Sequence, residues 1–429
     1  MFKNVYEVFN RRGYVEWCSN PERLSEVFCS EMVTAYVGFD PTADSLHVGH
    51  LIPLMGLAWL QKLGHRPIAI AGGGTGLIGD PSGKSKERNL LTLEAMANNI
   101  ENVKKQLAHL LDFNCGENSA LLINNYDWLS KISFLDFLRD VGKYFSINSL
   151  LARDYIRSRI EDPDKGISYT EFSYVLLQTY DFAHLFKEYG CRLQMGGNDQ
   201  QGNLIAGVDY IRRTQGGEAF GLTQPLLLTS SGGKFGKTEE GAVWLDPVRT
   251  SPYRFYQFWI NVEDADAERL LKLFTFLTLE EIEDIITQHN KNPEKRIAQK
   301  ILANEVTKLV HSKSAAVNAE RASEMLFGGG DVSVKCSELE EEMLTILSKE
   351  VPYSKIDCPF PCQVTEVLSA SGACESKGEA KRLIKQGGVT LNDSKITDEG
   401  AKIEREILLH GRYIFARLGK KKFHLIEVS

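Results

Sequence analysis

The sequence predicts an α/β domain built on a parallel sheet, followed by an α-helical region and a C-terminal segment of different composition. In the first half of the chain, short apolar runs alternate with helical patterns, which is the arrangement expected when helices connect parallel strands. Between residues 265 and 318 the pattern is helical and contains no strand signal. The length of 429 residues agrees with two or three domains, because a single hydrophobic core rarely extends so far.

The individual elements follow from their hydrophobic patterns. The predicted strands are 32–40, 67–73, 120–126 and 191–197. The second of these is apolar almost throughout, as in a parallel strand that is buried on both faces. Apolar residues recur at spacings of four and three from Met96 to Leu110, which predicts an amphipathic helix. Another helix is expected to begin near His47, after the turn that follows the first strand.

Composition excludes several classes of protein. Hydrophobic residues make up 43% and charged residues 25%, values that are ordinary for a water-soluble globular chain. The sequence contains no run of about 18 apolar residues, so no transmembrane helix is expected. The N-terminus lacks the apolar segment of a secretory signal. Eight cysteines without a CxxC pair predict reduced thiols in a cytoplasmic protein and no metal held by the protein.

Charge is distributed unevenly along the chain. The net charge of −7, taken alone, argues against a nucleic-acid partner. Residues 360–429, however, carry 12 Lys and Arg residues against 9 Asp and Glu residues, which leaves this segment at +3 and the rest of the chain at −10. A basic C-terminal module on an acidic body is therefore expected, and the basic part is the candidate for contact with RNA.

A glycine-rich segment follows the second predicted strand. Residues 74–79 match G-x-G-x-x-G, but Asp80 and Pro81 interrupt the helix that a dinucleotide site requires. Residues 83–85 read Gly-Lys-Ser, but the first glycine of a P-loop would fall on Ile78. Both motifs are therefore rejected, although a glycine-rich turn at the carboxyl end of a strand remains a good position for a ligand.

Two short segments carry the chemistry of a polyphosphate site. Residues 46–51 read LHVGHL and open the helix near His47, where free backbone N–H groups and the helix dipole favour an anion. Residues 231–238 read SGGKFGKT, a glycine-rich loop whose two lysines and hydroxyl group can close over phosphates. Taken singly, each segment also fits an ordinary structural role, the histidines as a helix cap and a packed ring, and the loop as a solvated hairpin tip.

Together these segments resemble the two signature motifs of class I aminoacyl-tRNA synthetases, in particular the tyrosine-specific bacterial-type members. The resemblance extends over essentially the whole chain, through YVGFDPTADSLH (36–47), GTGLIGDPSGK (74–84), NNYDW (124–128), FLRDVGKYFSIN (137–148), YTEFSYVLLQTYDF (169–182), GGNDQQGN (196–203) and RTSPYRFYQFW (249–259). With the patterns above, it implies a Rossmann-type catalytic domain over 1–225, the KFGKT loop and an α-helical domain over 226–327, a linker region over 328–360, and a ribosomal protein S-four-like RNA-binding domain over 361–429.

The resemblance implies an enzyme that activates L-tyrosine with ATP and transfers the tyrosyl group to the terminal ribose of tRNA(Tyr). The implied tyrosine-binding residues are Tyr36, Gly38, Asp80, Tyr174, Gln178, Asp181 and Gln200. Among them, Tyr36 and Asp181 are implied to bind the phenolic hydroxyl, and the others to hold the α-ammonium or form the pocket floor. Tyr174, Gln178 and Asp181 are spaced by four and three, so they share one helical face and can contact both ends of tyrosine.

The same resemblance implies the ATP site. The implied ATP-binding residues are Asp40, His47, Gly49, His50, Gly197, Asp199 and Lys237. The groups implied to stabilise the reacting phosphates are Thr42, His47, His50, Lys84, Arg88, Lys234, Lys237 and Thr238. ATP is then a substrate, Mg²⁺ is expected on its phosphates, and no side chain has to act as a nucleophile. Gln201 departs from the family pattern, which usually has tryptophan at this position.

The C-terminal segment resembles the small RNA-binding domain of ribosomal protein S-four. Two short helices and a β-hairpin around 387–388 are expected, and the implied RNA-binding residues are Lys377, Lys381, Arg382 and Lys385. The implied partner is tRNA(Tyr) rather than DNA or a membrane, and the family implies a homodimer through residues 126–169. The alternatives are a tryptophan-specific relative, a small-molecule nucleotidyltransferase, and an RNA-binding or splicing-assisting protein derived from a synthetase.

Overall fold

The computed structural model describes residues 3–81, 92–151, 153–162, 166–230, 232–233, 235–238, 241–327, 335–336, 339, 341–419 and 422–429. Side chains are described at these positions except 154, 155, 158, 237, 238 and 342. The chain divides into two compact units. The first unit is formed by Met1–Ser251 and Phe258–His311, and the second by Pro252–Gln257 and Ser312–Ser429.

A six-stranded sheet forms the centre of the first unit. Its strands are β1 (Trp17–Cys18), β2 (Thr34–Phe39), β3 (Arg66–Ala71), β4 (Leu121–Asn124), β5 (Cys191–Gly197) and β6 (Phe220–Gln224). They lie in the order β1-β6-β5-β2-β3-β4, and every pair is parallel except β1 with β6. This is the parallel α/β sheet that the sequence predicts, with one short antiparallel edge strand.

Helices cover both faces of this sheet. Successive residues of β5 show this, because Gln194 lies against Gly207 and Met195 against Gly56, on opposite sides. The helices of this part of the chain are α1 (Val5–Arg12), α2 (Pro21–Ser30), α3 (Leu51–Lys62), α4 (Leu93–Leu107), α5 (Tyr126–Leu129), α6 (Phe134–Asp140), α7 (Ile147–Leu151), α8 (Asp154–Ile160), α9 (Tyr169–Tyr189), α10 (Gln201–Gln215), α11 (Pro252–Ile260), α12 (Asp264–Phe274), α13 (Leu279–Lys291) and α14 (Ile297–Val310). A small hairpin of β7 (Lys237–Thr238) and β8 (Gly241–Ala242) lies between α10 and α11 in the sequence.

The long helix α9 has clear local signals at both ends. The Ser168 hydroxyl accepts the N–H of Glu171, and the Glu171 carboxylate accepts the N–H of Ser168, which is a capping box. Gly190 ends the helix in the left-handed conformation, with φ of 62°. The backbone that carries three of the predicted site residues is therefore fixed by its own sequence.

The second unit is an α+β module with its own core. Its further helices are α15 (Lys313–Phe327), α16 (Glu341–Glu350), α17 (Val364–Ala370) and α18 (Lys377–Lys385). Its strands are β9 (Tyr353–Ile356), β10 (Cys362–Gln363), β11 (Val389–Leu391), β12 (Ser394–Ile396), β13 (Lys402–Ile403), β14 (Tyr413–Leu418) and β15 (Lys422–Val428). Five of them form a sheet in the order β12-β11-β14-β15-β9. The two short helices expected in this module are confirmed as α17 and α18, which pack on it through residues such as Val367 and Ile384.

Most of the predicted elements are confirmed. The four predicted strands are β2, β3, β4 and β5, the amphipathic pattern from Met96 is α4, and residues 265–318 are helical. Sequence patterns missed β1, which is only two residues long, and β6, in which Gly221 and Gln224 interrupt the apolar run. Within the expected linker region, Tyr353–Ile356 forms β9 and pairs with β15. The domain boundaries themselves stay predictions.

The expected position of the C-terminal hairpin is wrong by about five residues. Gly387, with φ of 65°, follows α18, and the hairpin turn between β11 and β12 lies at Asn392 and Asp393. These two residues have φ of 44° and 71°, as the central residues of a tight hairpin turn require. The glycine pair therefore serves the end of the helix and not the hairpin. Within the described ranges, no helix is both long and apolar enough to cross a membrane.

Candidate active site

A cavity of about 530 Å³ opens at the carboxyl ends of β2, β3, β5 and β6. Open parallel α/β sheets bind their ligands at this edge. The predicted site residues that line the cavity are Tyr36, Gly38, Asp40, His47, Gly49, His50, Asp80, Tyr174, Gln178, Asp181, Gly197, Asp199 and Gln200. The fold thus gathers most of the predicted tyrosine and ATP residues, which are scattered along the chain, around a single space.

The other predicted catalytic residues are not gathered in the same way. Thr42 is exposed and is not among the residues that line the cavity. Lys84, Arg88 and Lys234 lie outside the described residues. Lys237 and Thr238 are described as backbone only, in the β7 strand of the small hairpin.

The two histidines of the HVGH segment stack on each other before α3. Their ring centroids are 4.0 Å apart, with an angle of 29° between the planes. Nδ1 of His47 accepts the N–H of Gly49 at 3.1 Å, and Nδ1 of His50 accepts the N–H of His47 at 3.2 Å. Because each Nδ1 is an acceptor, each neutral ring carries its proton on Nε2. A Cβ at position 49 would lie 2.8 Å from Cε1 of His47, so this arrangement requires glycine there.

The glycine-rich loop packs directly against this turn. The N–H of Val48 donates to the carbonyl of Val243 at 2.9 Å, and the N–H of Val243 donates to the carbonyl of Gly236 at 3.0 Å. Gly236 has φ of 81°, and a Cβ there would lie 3.2 Å from Cβ of Val48. Phe235, next to it, is buried against Trp259. The HVGH turn, with Phe235 and Gly236 of the loop, therefore forms one wall of the cavity.

Asp181 is a buried carboxylate at the inner end of the cavity. Its side chain accepts the amide N–H of Asn125 at 2.8 Å and the indole N–H of Trp128 at 2.7 Å. Burial raises the pKa of Asp181 to about 7, because loss of hydration outweighs these two hydrogen bonds and the Asp40 charge adds to the increase. A further donor placed against this carboxylate would therefore be strongly favoured.

Tyr36 lines the same cavity and is only 2% exposed. Its hydroxyl has no hydrogen-bond partner within the part of the chain that the structure describes. Burial, followed by the Asp181 charge, raises the pKa of Tyr36 well above its ordinary value, so the hydroxyl keeps its proton. A ligand group that accepts from Tyr36 and donates to Asp181 would satisfy both, and a phenolic hydroxyl is such a group.

A second polar cluster surrounds Asp80. Nε2 of Gln200 donates to Oδ2 of Asp80 at 2.9 Å, and Nε2 of Gln178 donates to Oε1 of Gln200 at 3.2 Å. All three side chains line the cavity. The carboxylate and the amide oxygens are acceptors, so the cluster suits a cationic donor such as an ammonium group.

Asp40, directly after β2, forms a third polar position. Its carboxylate accepts the hydroxyl of Thr75 at 3.1 Å and that of Tyr174 at 3.4 Å. Burial, with the charges of Asp40 and Asp80, raises the pKa of Tyr174 well above its ordinary value, so this hydroxyl acts as a donor. Tyr174, Gln178 and Asp181 all line the cavity, which is the shared face of α9 that their spacing predicts.

The remaining wall combines apolar side chains with one acidic group. The apolar residues that line it include Ile52, Pro53, Leu226, Leu227 and Leu228. Asp199 is exposed beside them, and a Cβ on Gly197 would lie 2.6 Å from its Oδ1. An apolar surface for a flat base next to a carboxylate that accepts from hydroxyl groups fits a nucleoside.

Two residues that support the site were not among the predicted site residues. Asn125 and Trp128 hold the Asp181 carboxylate from the chain just after β4. The sequence predicts no individual role for the residues of NNYDW, a segment that only forms part of the resemblance. The available signal was an asparagine at the carboxyl end of a predicted strand, where the ligands of such sheets bind.

The basic residues predicted to bind RNA lie on α18 in the second unit. Lys381, Arg382 and Lys385 are exposed. Lys377 is also exposed, but its ammonium is paired with the Glu366 carboxylate at 2.7 Å. The helix therefore presents a basic face, of which Lys377 is the partly neutralised end.

The chain is similar over almost its whole length to known proteins of one family. Residues 30–328 match the family of class I tRNA synthetases (W and Y), and residues 342–426 match the SYY-like C-terminal domain of tyrosine–tRNA ligases. A tyrosine–tRNA ligase from Roseiflexus castenholzii is 50% identical over 405 residues, which are 94% of this chain and 95% of that one. The ligase from Geobacillus stearothermophilus is 48% identical over 422 residues, or 97% and 98% of the two chains.

Solved structures agree as well. A C-terminally truncated mitochondrial tyrosyl-tRNA synthetase from Aspergillus nidulans matches with a TM-score of 0.70 and 34% identity, over 76% of this chain and 94% of that one. The α/β fold with a parallel sheet is therefore shared with these proteins. The chain belongs to the tyrosine–tRNA ligase family of class I tRNA synthetases.

Proposed function

We propose that the protein is a tyrosine–tRNA ligase, which activates L-tyrosine with ATP and transfers the tyrosyl group to tRNA(Tyr). The observation that carries this proposal is the buried Tyr36 hydroxyl, without a partner among the described residues, in the same cavity as the Asp181 carboxylate. A phenol accepts from Tyr36 and donates to Asp181. The indole of tryptophan only donates, and phenylalanine does neither, so this pair of groups favours tyrosine.

The opposite end of tyrosine would lie at the Asp80 cluster. Asp80, Gln178 and Gln200 offer acceptors to the α-ammonium, and the hydroxyl of Tyr174 lies nearby on the same face of α9. The amino acid is then held at both ends, and its carboxylate is left to face the ATP part of the cavity. Binding at both ends orients the attacking group before reaction, which is a large part of the rate enhancement available to such an enzyme.

The first reaction step would be a displacement at phosphorus. A carboxylate oxygen of tyrosine attacks the α-phosphorus of ATP, the bond to the bridging oxygen breaks, and pyrophosphate leaves with the electron pair. No protein nucleophile is needed, so the protein contributes positioning and N–H donors. His47 and His50 provide such donors at the start of α3, and the remaining candidates are Thr42, Lys84, Arg88, Lys234, Lys237 and Thr238.

Magnesium would accompany ATP, held by phosphate oxygens, and would neutralise part of their charge. Among the described residues there is no group of three His, Cys, Asp or Glu side chains with the geometry to hold a metal ion. We assign the ion to ATP and name no protein side chain as its direct ligand. Asp40 and Asp199 line the cavity and are proposed to bind the nucleotide.

In the second step a hydroxyl of the terminal ribose of tRNA would attack the carbonyl carbon of tyrosyl-adenylate, and AMP would leave. The exposed basic face of α18 supports an RNA partner, because Lys381, Arg382 and Lys385 can contact phosphates without reading sequence. We assign this face to tRNA(Tyr) rather than DNA.

The eight free thiols support a reducing compartment such as the cytoplasm.

A homodimer is part of the proposal. Within residues 126–169, Phe134, Leu135 and Ile147 have exposed fractions of 64%, 76% and 58%. Large apolar side chains exposed along one segment of the chain are consistent with a contact with another protein. A second copy of the chain is the partner that the family implies, and sedimentation at equilibrium would measure it.

The test of the proposed activity is exchange of labelled pyrophosphate into ATP. We expect exchange that requires tyrosine, with tryptophan and phenylalanine supporting little or none, and charging of tRNA(Tyr) by the same preparation. No exchange with tyrosine, or faster exchange with tryptophan, would overturn the proposal. Loss of charging with intact exchange would instead contradict only the assignment of the RNA partner.

A further inference from the structure

The Asp80 cluster is joined by hydrogen bonds to a second cavity of about 490 Å³. This cavity is lined by Arg153, Gly202, Tyr210 and Arg213, among others. Nη1 of Arg153 donates to Oδ1 of Asn203 at 2.7 Å, and Nη2 donates to the carbonyl of Gly202 at 3.1 Å. The guanidinium is therefore anchored to the first turn of α10, on the far side of the Asp80 cluster.

Asn203 connects the guanidinium to the glutamines of the tyrosine site. It is only 3% exposed. Its Nδ2 donates to Oε1 of Gln178 at 2.9 Å and to Oε1 of Gln200 at 3.1 Å. Since Gln200 in turn donates to Asp80 at 2.9 Å, three hydrogen bonds lead from Arg153 to the carboxylate.

The donor and acceptor ends of these three hydrogen bonds are fixed by the groups at the two ends of the series, Arg153 and Asp80. A guanidinium has donors and no acceptor, so the oxygen of Asn203 has to face Arg153 and its NH₂ has to face the glutamine oxygens. An ionised carboxylate has acceptors and no donor, so the NH₂ of Gln200 has to face Asp80. Both ends therefore select the same orientation for each amide between them. An amide in isolation has no such preference, because its oxygen and nitrogen ends are similar in size and shape.

We propose that Arg153 is a positioning residue for recognition of the amino acid's ammonium group: through Asn203, its charge fixes the orientation of the Gln178 and Gln200 amides beside Asp80. This inference rests on the proposed function, which places the α-ammonium at this cluster. Arg153 does not line the tyrosine cavity, and its hydrogen bond to Asn203 is the described contact that links it to the glutamines.

Loss of Arg153 has a specific consequence for the site. Without a donor at Oδ1, Asn203 can rotate its amide and turn its oxygen towards the oxygens of Gln178 and Gln200. Gln178 can then rotate its amide as well, while Gln200, whose NH₂ still faces Asp80, loses the N–H that Asn203 donates to its oxygen. The ammonium therefore meets a mixture of donors and acceptors, while the phenol end at Tyr36 and Asp181 is unchanged.

Two analogues of tyrosine separate these ends. Tyramine keeps the phenol and the ammonium, and 3-(4-hydroxyphenyl)propionate keeps the phenol and the carboxylate but has no ammonium. We expect Arg153→Met to raise the KM for tyrosine and the inhibition constant of tyramine by about 5- to 30-fold, the effect of one or two misdirected hydrogen bonds. The inhibition constant of the propionate and the KM for ATP should change by less than about twofold.

Further variants guard against a general loss of structure. Arg153→Lys retains a donor without an acceptor and should restore most of the tyramine affinity. Asn203→Asp keeps an acceptor for Arg153 but cannot donate to the glutamines, so it should show the same selective loss as Arg153→Met. The guanidinium of Arg213 lines the same cavity but donates to the Tyr144 carbonyl. Arg213→Met therefore removes a different cation and should leave both inhibition constants unchanged.

The outcomes distinguish this inference from the proposed function. Equal weakening of both analogues in Arg153→Met, or the same loss in Arg213→Met, would show a structural effect and overturn the positioning role. Unchanged affinity for tyramine in both Arg153→Met and Asn203→Asp would overturn it as well. Failure of the wild-type protein to respond to tyrosine would overturn the proposed function itself.

Discussion

Trp128 donates its indole N–H to the Asp181 carboxylate at 2.7 Å, although Trp128 is not among the residues that line the cavity. Asn125 supplies the second donor to the same carboxylate. Together they lower the pKa of Asp181, but not enough to offset burial, which leaves it raised to about 7. Asp181, which is proposed to bind the phenol of the substrate, therefore changes its charge close to neutral pH. The hydrogen bonds from Asn125 and Trp128 help to set the pH at which it does so.

The first prediction concerns pH. Protonated Asp181 cannot accept from a phenol in the same way, so kcat/KM for tyrosine should fall as the pH drops below about 7, the value to which burial raises this pKa. Trp128→Phe removes one stabilising donor, and the midpoint should move to higher pH, with kcat/KM at pH 7 reduced about three- to tenfold. The pH profile of tyrosine-dependent pyrophosphate exchange measures both. A midpoint that stays in place in the variant would contradict the role of Trp128.

The second prediction concerns Tyr36, whose buried hydroxyl has no partner among the described residues. Tyr36→Phe removes no hydrogen bond from the free protein, so the free energy of unfolding should be unchanged or higher by about 1 kcal/mol. The KM for tyrosine should rise about 5- to 30-fold, because the ligand's hydroxyl loses its donor. Urea unfolding and exchange kinetics give the two numbers. A variant that is clearly less stable would mean that the hydroxyl is already paired in the free protein.

The third prediction tests the contact between the two signature segments. Gly236→Ala places a methyl group 3.2 Å from Cβ of Val48 and forces alanine into a left-handed conformation, which costs about 1–2 kcal/mol. The loop should shift away from the HVGH turn, so kcat should fall about tenfold while the KM for tyrosine changes little. Gly13→Ala is the matched control, since it forces alanine into the same left-handed conformation but the added Cβ meets no atom within 4 Å. Equal effects of the two substitutions would count against the wall that these segments form.

The fourth prediction concerns His65, which is fully buried between β3 and the N-terminus. Its Nδ1 accepts the N–H of Val33 at 3.1 Å, and its Nε2 lies 3.0 Å from the carbonyl of Lys3. Burial lowers the pKa of His65, so the unfolded chain takes up a proton more readily than the folded one. The stability that the folded protein gains by keeping His65 neutral is fully present above the ordinary pKa of about 6.5. It is lost progressively as the pH falls below that value.

A variant isolates this contribution. His65→Asn keeps one acceptor and one donor but does not titrate, so its stability should fall less than that of the wild type between pH 7.5 and pH 5.5. Urea unfolding at the two pH values measures the difference between the proteins. Parallel losses in wild type and variant would show that His65 is not responsible.

Sequence patterns predicted the fold well where one element carries its own signal. Strands β2 to β5 are predicted from apolar runs that end in turns. The ends of α9 are predicted by a capping box, Ser168 with Glu171, and by a terminal glycine, Gly190. The hairpin turn was misplaced because two adjacent signals compete, the glycine pair at 387–388 and the Asn-Asp pair that forms the turn. Local sequence does not show which pair ends the helix and which reverses the chain.

The site shows the same limit more sharply. From residue types alone, the HVGH and KFGKT segments were as consistent with a helix cap and a hairpin tip as with a phosphate site. Only the fold brings Val48 and Gly236 into contact. The support of Asp181 by Asn125, and of Gln178 by Asn203, joins residues that are 56 and 25 positions apart. Such contacts depend on tertiary packing, so no spacing rule predicts them.

The central claim is that Tyr36 and Asp181 select tyrosine by its hydroxyl, and the ratio of kcat/KM for tyrosine to that for phenylalanine tests it most directly. In Asp181→Asn the charged acceptor becomes neutral, and its NH₂ faces a donor from Asn125 or Trp128. We expect the ratio to fall about 10- to 100-fold, through loss of activity with tyrosine, because a hydrogen bond to a charged group contributes about 1.5–3 kcal/mol. Activity with phenylalanine should change little. A ratio equal to that of the wild type would contradict the claim.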